Sequence, residues 1–349
     1  MLQLNLMAEE NRLTKLSKLG DSLERLCILN WELFRHILEN AQKKEHKGPG
    51  GRPAYDCVLL FKILVLQRLF NLSDDQTEYQ INDRMSFMRF LGLTLGDKVP
   101  DAKTIWLFRN ILTQAGAMES LFALFSSQLE QLGLITHTGT IVDATFVDAP
   151  RQRNTREENQ TIKAGEIPQT WKEESLKVAH KLSQKDTDAR WATKGGERHY
   201  GYKDHTKVDV DSKLITAYTV TSANVHDSNE FVDFFDENDQ AAYADSAYAS
   251  AAIADRLPQS IENHIHEKGY RDHPLSDAQR ESNRVKSKIR ARIEHVYGFM
   301  TNSMNGITVR SIGLPRARFQ IGLTNLVYNL CRYCVLWRKV FILGVSAPI

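Results

Sequence analysis

Apolar residues in the first 135 positions recur at the close spacing that is typical of helices. The segment RPAYDCVLLFKILVLQRLF is apolar enough for a buried helix and starts at the end of the breaker cluster GPGGRP. Ser73, three residues before Gln76, and Asp101 are helix start signals, because such side chains accept hydrogen bonds from free backbone N–H groups. The pattern predicts a helical N-terminal region whose last helix, AMESLFALFSSQLEQL, ends at Gly133.

The periodicity changes after Gly139. The run TIVDATFV is short, β-branched and apolar on both faces, which is typical of a central strand. The alternating runs HTKVDV and KLITAYTVTSA, joined by Asp211 and Ser212, predict an antiparallel hairpin. QAAYADSAYAS predicts a strand that runs into a helix, and SIENHIHE a further short strand. The result is a mixed α/β core, interrupted at about 150–200 by a polar insertion with a helix around TWKEESLKVAHKL.

Two helices are predicted after the strands. Ser276 and Gln279 open a long helix that runs to about Met300, and RARFQIGLTNLVYNLCRYCVLWRKV forms a final apolar helix. Residues four apart stay on one face of a helix, so the long helix carries three stripes. The stripes are an apolar one (Val285, Ile289, Ile293, Val296, Met300), a basic one (Arg284, Lys288, Arg292) and a mixed one (Lys286, Arg290, Glu294).

The composition is that of an ordinary globular protein. The chain has 349 residues, enough for about two domains at roughly 150 residues each, with 42% hydrophobic and 25% charged residues. These values argue against a wholly disordered, collagen-like or disulfide-scaffold chain. Cys331 and Cys334 form a C-x-x-C without a second ligand pair, so we predict core packing rather than a zinc site. No membrane-spanning run or signal segment is expected, which predicts a cytoplasmic protein.

Charge is unevenly distributed along the chain. The net charge is only +2, which by itself gives no support to a nucleic-acid partner. Residues 276–340 nevertheless carry +9, and residues 225–275 carry −8. Clustered carboxylates next to clustered cations are the pattern expected of a metal-dependent enzyme that acts on a polyanion. A charged helix face beside an acidic loop is the simpler alternative.

Two aspartates lie in predicted apolar strands. Asp143 is inside TIVDATFV and Asp245 ends AAYA. A buried unpaired carboxylate costs several kcal/mol, so each needs a cation, either a salt-bridge partner or a metal ion. Asp148 is a rival to Asp143, but it lies an odd number of residues away and would face the opposite side of the strand. Glu294 is the third candidate, although it could simply pair with Arg290 four residues before it.

These blocks carry a family resemblance. TIVDATFVDAP, DARWATKGGERHYGYKDHTKVD, TVTSANVHDS, YADSAYAS and RARIEHVYG resemble, in order and spacing, the catalytic domain of bacterial DDE transposases of the insertion-sequence-five family. The segment GGRPAYDCVLLFKILVLQRLFNLSDDQTEYQINDRMSFMRFLGL, followed by VPDAKTIWLFRN, is similar to that family's N-terminal domain. The resemblance runs from about Gly50 to Leu336.

The resemblance implies a fold and a site. It implies a ribonuclease H-like catalytic core, a mixed sheet with flanking helices and a polar insertion, at 136–349, preceded by a helical DNA-binding domain at 1–135. Asp143, Asp245 and Glu294 then form the catalytic triad and hold two Mg²⁺ ions, with Mn²⁺ as the alternative. Relatives carry Tyr and Lys near the last carboxylate where this chain has Ser287 and Thr301, while Arg290 fits as a phosphate contact.

The implied function is transposition of an insertion sequence. Water would free a 3′-hydroxyl at the terminal inverted repeats, and that hydroxyl would attack target DNA, with a homodimer pairing the two ends close to the nucleoid. Two alternatives stay open: a ribonuclease H-fold nuclease or domesticated relative that cuts without joining, and a DNA-binding regulator without activity. The residues expected to contact DNA are the cations of the long helix, namely Arg284, Lys286, Lys288, Arg290 and Arg292.

Overall fold

The structure, a computed structural model, describes residues 8–43, 54–172 and 181–339. The described chain divides into two compact units. Residues up to 131, together with those from 326 onward, form the first, and residues 132–325 form the second. The sequence-based division at 135/136 lies four residues later along the chain and places the end of the last helix with the catalytic domain.

The first unit is helical. Asp56, Ser73 and Asp101 each accept a hydrogen bond from a backbone N–H three residues on, which satisfies the first turn of the helix that follows. The helix starts predicted at Ser73 and Asp101 are thereby confirmed, whereas GPGGRP lies outside the described residues. The helices are α1 (Ala8–Leu19), α2 (Arg35–Gln42), α3 (Cys57–Leu69), α4 (Asp74–Asp83), α5 (Met85–Leu91), α6 (Ala102–Gln114) and α7 (Ala117–Gln131).

The core of this unit forms around α3, which is apolar on all sides and buries nearly all of its residues. Phe61 of α3 packs against Phe34 with the ring centroids 5.1 Å apart, and Trp31 lies edge-on to Phe61 and Phe90. Aromatic pairs at these distances and tilts are favourable beyond the area that they bury. The buried helix predicted from the sequence is therefore confirmed.

The second unit is built on a mixed sheet of six strands. The order is β2-β3-β1-β5-β6, and β4 also pairs with β3. β1 is antiparallel to β3 and parallel to β5, so it is the central strand that its apolar sequence predicts. The strands are β1 (Thr140–Asp148), β2 (Arg190–Lys194), β3 (Glu197–Asp209), β4 (Ile215–Ser222), β5 (Ala241–Tyr243) and β6 (Glu262–Asn263).

Helices flank this sheet and complete the α/β architecture. The predicted hairpin is present as β3 and β4, and the strand predicted at SIENHIHE is reduced to the two residues of β6. The helices are α8 (Arg156–Lys163), α9 (Gln169–Lys172), α10 (Ser228–Phe231), α11 (Ala251–Arg256), α12 (Asp277–Arg290), α13 (Arg292–Gly298) and α14 (Leu314–Trp337). The mixed sheet with flanking helices confirms the predicted ribonuclease H-like fold class.

The polar segment at 150–200 is only partly an insertion. Its last residues form β2 and the beginning of β3, which pair as an antiparallel hairpin at the end of the sheet. The sequence shows no alternation of apolar and polar residues here, because most side chains of the hairpin are exposed. The helix predicted around TWKEESLKVAHKL is described only as α9, and residues 173–180 lie outside the described residues.

β3 bends sharply at Gly201. Its φ is 151°, and a Cβ there would collide with the backbone of Val147 and Ala149, so only glycine fits. Gly201 is paired with Asp148, so in a straight strand His199 would lie two residues beyond the end of β1. The His199 ring instead stacks on Phe146 with centroids 4.2 Å apart. The His199 side chain therefore reaches back from the hairpin along β1.

The long helix predicted from Ser276 to about Met300 is interrupted. Ser276 and Gln279 form the predicted capping box, but α12 ends at Arg290, and α13 starts after Ala291. A π-helical turn, Phe299–Ser303, follows α13. The prediction of one continuous apolar stripe is also wrong. α12 buries none of its residues, and only the later part of the stripe is in the core.

The final helix, α14, is confirmed and carries both cysteines of the C-x-x-C. Cys331 and Cys334 are buried and free, which agrees with the predicted packing role. Within the described residues, no helix is both long and apolar enough to cross a membrane.

Candidate active site

The parallel pairing of β1 and β5 places two aspartates side by side. Ile141 is paired with Tyr243, the last residue of β5, and continuing that register by two residues places Asp143 beside Asp245, whose carboxylate is near enough to act on the pKa of Asp143. Adjacent strands are about 4.8 Å apart, and residues in register share one face. The Asp245 carboxylate also accepts a hydrogen bond of 2.7 Å from the Ala247 N–H, which fixes it at the start of a 3₁₀ turn. Both carboxylates are therefore held by backbone geometry.

Asp143 is surrounded by groups that act on its charge. Its Oδ1 accepts a hydrogen bond of 2.8 Å from the Ala144 N–H, and its Oδ2 lies 3.2 Å from Nη1 of Arg290. Burial raises the pKa of Asp143, and the Asp245 carboxylate adds to that rise. The Ala144 N–H and the cations of Arg290 and Lys194 oppose it. A raised pKa from burial and a neighbouring carboxylate is common at functional sites.

Arg290 connects the first and third carboxylates of the predicted triad. Its Nη1 contacts Asp143, and its Nη2 lies 4.0 Å from Oε1 of Glu294. The Glu294 side chain is 69% exposed, so this contact is at the surface. The structure therefore brings Asp143 and Asp245 together and connects Glu294 to them through a guanidinium.

Tyr297 is a site residue that the sequence interpretation missed. Its hydroxyl donates a hydrogen bond of 3.1 Å to the main-chain carbonyl of Asp143 and lies 2.7 Å from Oγ1 of Thr206 on β3. Burial raises the pKa of Tyr297, so the hydroxyl keeps its proton. Tyr297 follows Ile293 by one helical turn, and this position on the buried face was the available signal.

The donor set suits a hard divalent cation, but its third member is displaced. Carboxylate oxygens without nitrogen or sulfur ligands favour Mg²⁺ or Mn²⁺. Asp143 and Asp245 supply two such carboxylates close together, beside the guanidinium of Arg290. Among the described residues, no three side chains of the His, Cys, Asp and Glu types are grouped closely enough to hold a metal ion. Glu294 would have to turn away from Arg290 to complete the set.

Besides Arg290, two more of the cations expected to contact DNA are already engaged by the protein. Lys286 Nζ donates to the carbonyl of Ile265 and lies 3.2 Å from the Glu267 carboxylate, and its side chain is largely buried. Arg292 donates to the carbonyl of Val210 and is 3.0 Å from Asp211, in the turn between β3 and β4. These contacts attach α12 and the start of α13 to the rest of the unit.

The other predicted DNA contacts on α12 face solvent. Arg284 is exposed and has only the exposed Glu281 within 3.4 Å. Lys288 is exposed and has no hydrogen-bond or ion-pair partner within the described part of the chain. Ser287, at the position where relatives carry Tyr, has its hydroxyl 3.3 Å from Nε2 of His266. Thr301 lies exposed in the π-helical turn.

Two family models for transposases match this chain. A family model described as "Transposase DDE domain" matches residues 135–330, and one described as "Transposase domain (DUF772)" matches residues 7–110. A cryo-EM structure described as a piggyBac transposase synaptic complex with hairpin DNA has 12% identity and a TM-score of 0.46, covering 91% of this chain and 76% of that one.

The sheet thus belongs to a ribonuclease H-like enzyme of the DDE class. The match spans more than half of the chain, which therefore belongs to the DDE transposase family. It is a DNA transposase, and enzymes of this family generally use divalent metal ions. The insertion-sequence-five subgroup is compatible with these matches and stays a prediction.

Proposed function

We propose that Asp143, Asp245 and Glu294 are the catalytic carboxylates with which this transposase cuts the ends of its insertion sequence and joins them to target DNA. The observation that carries the proposal is the register of β1 and β5, which puts Asp143 beside Asp245 on one face of the sheet. Arg290, in contact with both Asp143 and Glu294, supports the inclusion of the third carboxylate.

The three carboxylates would hold two Mg²⁺ ions, with Mn²⁺ as the alternative. When bound, such a pair activates the attacking oxygen and stabilises the leaving oxygen in an in-line displacement at phosphorus. Tyr297 holds the Asp143 backbone through its hydroxyl, and Arg290 presents a cation at the same place. Arg290 is suited to bind the phosphate that is cut, because a guanidinium recognises phosphate oxygens through paired N–H groups.

We assign the DNA path to the exposed side of α12. Arg284 and Lys288 would follow the phosphates there, while Lys286 and Arg292 hold the helix in place through the protein contacts described above. The helical N-terminal domain would read the terminal inverted repeats, and a homodimer would pair the two ends. The setting in this proposal is the bacterial cytoplasm, at the nucleoid.

The test is cleavage of a plasmid that carries the gene with its flanking DNA. Asp143→Ala, Asp245→Ala and Glu294→Ala should each abolish Mg²⁺-dependent cleavage and leave DNA binding intact, because the ions lose a ligand while the DNA surface is unchanged. Asp148→Ala is the matched control: it lies on the same strand, its side chain is 63% exposed, and it should cleave normally.

Full cleavage by any one of the three variants would remove that residue from the triad. The joining step is measured separately, as the appearance of end oligonucleotides covalently attached to a target plasmid. Cleavage without joining would support the nuclease alternative, and absence of Mg²⁺-dependent nicking in the wild-type protein would support the regulator.

A further inference from the structure

One face of the β2–β3 hairpin borders a cavity. Trp191 is paired with Tyr200, and Thr193 with Arg198, so these four side chains share one face of the hairpin. They line a cavity of about 600 Å³, whose other wall includes α8. Cavities of roughly 300–1,000 Å³ are the size that encloses small organic ligands. The hairpin thus supplies a site large enough for an aromatic ring with a polar substituent.

The wall of this cavity is aromatic. The Trp191 ring is 47% exposed although it is a large apolar group, and its centroid lies 5.1 Å from that of Tyr200. The guanidinium of Arg151 lies 5.5 Å from the Trp191 centroid. An exposed tryptophan beside a second ring and a cation is the arrangement on which nucleic-acid bases stack.

The rim of the cavity is positively charged. Lys163 and Arg198 are exposed, and neither has an acidic partner within the described part of the chain. The one acidic lining residue, Asp186, is already saturated: both carboxylate oxygens accept from the Tyr202 hydroxyl, and backbone N–H groups such as that of Ala189 bind it too. The amides of Asn159 and Asn224 add groups that both donate and accept hydrogen bonds.

The hairpin also extends toward the candidate active site. At Gly201 the hairpin lies close against the end of β1, and His199 stacks on Phe146, on the face of β1 opposite to Asp143. Lys194, at the hairpin tip, is close enough to oppose the burial that raises the pKa of Asp143. A DNA strand bound at Asp143 would therefore have the hairpin next to it.

We infer that this cavity binds one unpaired nucleotide of a DNA strand, with its base against Trp191 and Tyr200 and its phosphate at Arg198 and Lys163. This inference rests on the proposed function, since it takes the bound strand to be the one that the carboxylates cut. A base must leave the helix to enter such a cavity, so the site favours DNA that is already unpaired. A free nucleotide shares the same chemistry and is separated from a DNA strand by the experiment.

The test measures binding of the full-length protein to two duplexes of the same sequence, one fully paired and one with a few unpaired nucleotides that include 2-aminopurine. The assay contains EDTA, so that no cleavage is involved. Trp191→Ala should weaken binding to the unpaired probe by roughly 5- to 150-fold, the loss of one base-stacking contact, and should leave the paired probe unaffected. The change in 2-aminopurine fluorescence that accompanies stacking of the unpaired base should also disappear in this variant.

Two further variants control for folding and for general exposure. Trp191→Phe keeps an aromatic face and should retain most of the preference for the unpaired probe. Tyr270→Ala removes an exposed aromatic side chain, 61%, that lies in the same unit but outside the cavity, and should change neither affinity.

Three outcomes would overturn the inference. Unchanged binding of Trp191→Ala to the unpaired probe would show that no base stacks there. An equal loss for both probes would show a general backbone contact. Competition by a free nucleoside monophosphate as effective as that by the unpaired oligonucleotide would show that the cavity takes a free nucleotide. In each case, retained binding of the paired probe by the wild-type protein leaves the proposed function standing.

Discussion

The consecutive helices α12 and α13 differ in what they contact. α12 buries none of its residues, and its polar side chains bond to a neighbouring loop through Lys286 and Asn283. α13 buries Ile293 and Val296 and bonds to β1 and β3 through Tyr297. A similar mixture of apolar and basic positions therefore yields a surface helix in one case and a structural helix at the active site in the other. Matched substitutions should therefore have a large effect at positions that contact the site or the core and a small effect at exposed positions.

The largest contrast is expected between two arginines of α12. Arg290 contacts the buried Asp143, whereas Arg284 is exposed. Arg290→Lys and Arg290→Ala should lower the DNA cleavage rate by about 10²- to 10³-fold, the usual effect of losing one preoriented charge-stabilising donor. Arg284→Ala should change cleavage by less than about threefold and affect mainly the salt dependence of binding. Equal cleavage by the two alanine variants would contradict the distinction between these positions.

A smaller contrast, in stability, is expected between two valines of the predicted apolar stripe. Val296 is fully buried, and Val285 is 53% exposed. Val296→Ala should lower the free energy of unfolding by about 2 kcal/mol, because it removes buried methyl groups and leaves a cavity. Val285→Ala should stay within about 0.5 kcal/mol. Denaturant unfolding of both variants measures the difference, and a similar loss at Val285 would mean that α12 is covered in solution.

The third prediction concerns how the free energy of unfolding depends on pH through a buried carboxylate of the sheet. Asp204 on β3 is fully buried and accepts a hydrogen bond from Nδ2 of Asn325, while its own Oδ2 and the Asn325 Oδ1 have no hydrogen-bond partner among the described residues. Burial raises the pKa of Asp204 to about 8. A protonated Asp204 could donate to the Asn325 oxygen, which would satisfy both atoms.

The folded protein then keeps a proton that the unfolded chain has released above its ordinary pKa of about 3.9. Stability should therefore fall as the pH rises from about 4 to 8, by at most about 1.4 kcal/mol per pH unit for this group. Asp204→Asn, which keeps an amide opposite Asn325, should flatten that part of the curve. Thermal unfolding of both proteins across this pH range tests the prediction. Asp148→Asn, at an exposed position, is the control.

Several parts of the fold could be predicted because their signals are local. Ser73, Asp101 and Ser276 all cap helices as expected, since a cap needs only a side chain and the next turn. The hairpin of β3 and β4 followed from alternation around Asp211 and Ser212. The β2 strand was missed because its residues are exposed, so that no apolar face marks it.

The site was predictable in type but not in geometry. Asp143 and Asp245 were conspicuous as carboxylates within apolar strands, and the family resemblance paired them with Glu294. Their adjacency depends on the parallel register of β1 and β5, which brings together residues about a hundred positions apart in sequence. Arg290 was expected to contact DNA or pair with Glu294, and its contact with Asp143 exists only because α12 lies at that edge of the sheet.

The sequence alone therefore determined the order of the elements, the caps and the types of side chain available for chemistry, because each depends on neighbours within a few residues. The tertiary structure decided which carboxylates meet, where the long helix breaks, and that Trp191 and Tyr200 share a cavity wall. These outcomes depend on strand register and on contacts between distant segments. Such contacts form only after the whole sheet has been assembled, so no local pattern specifies them.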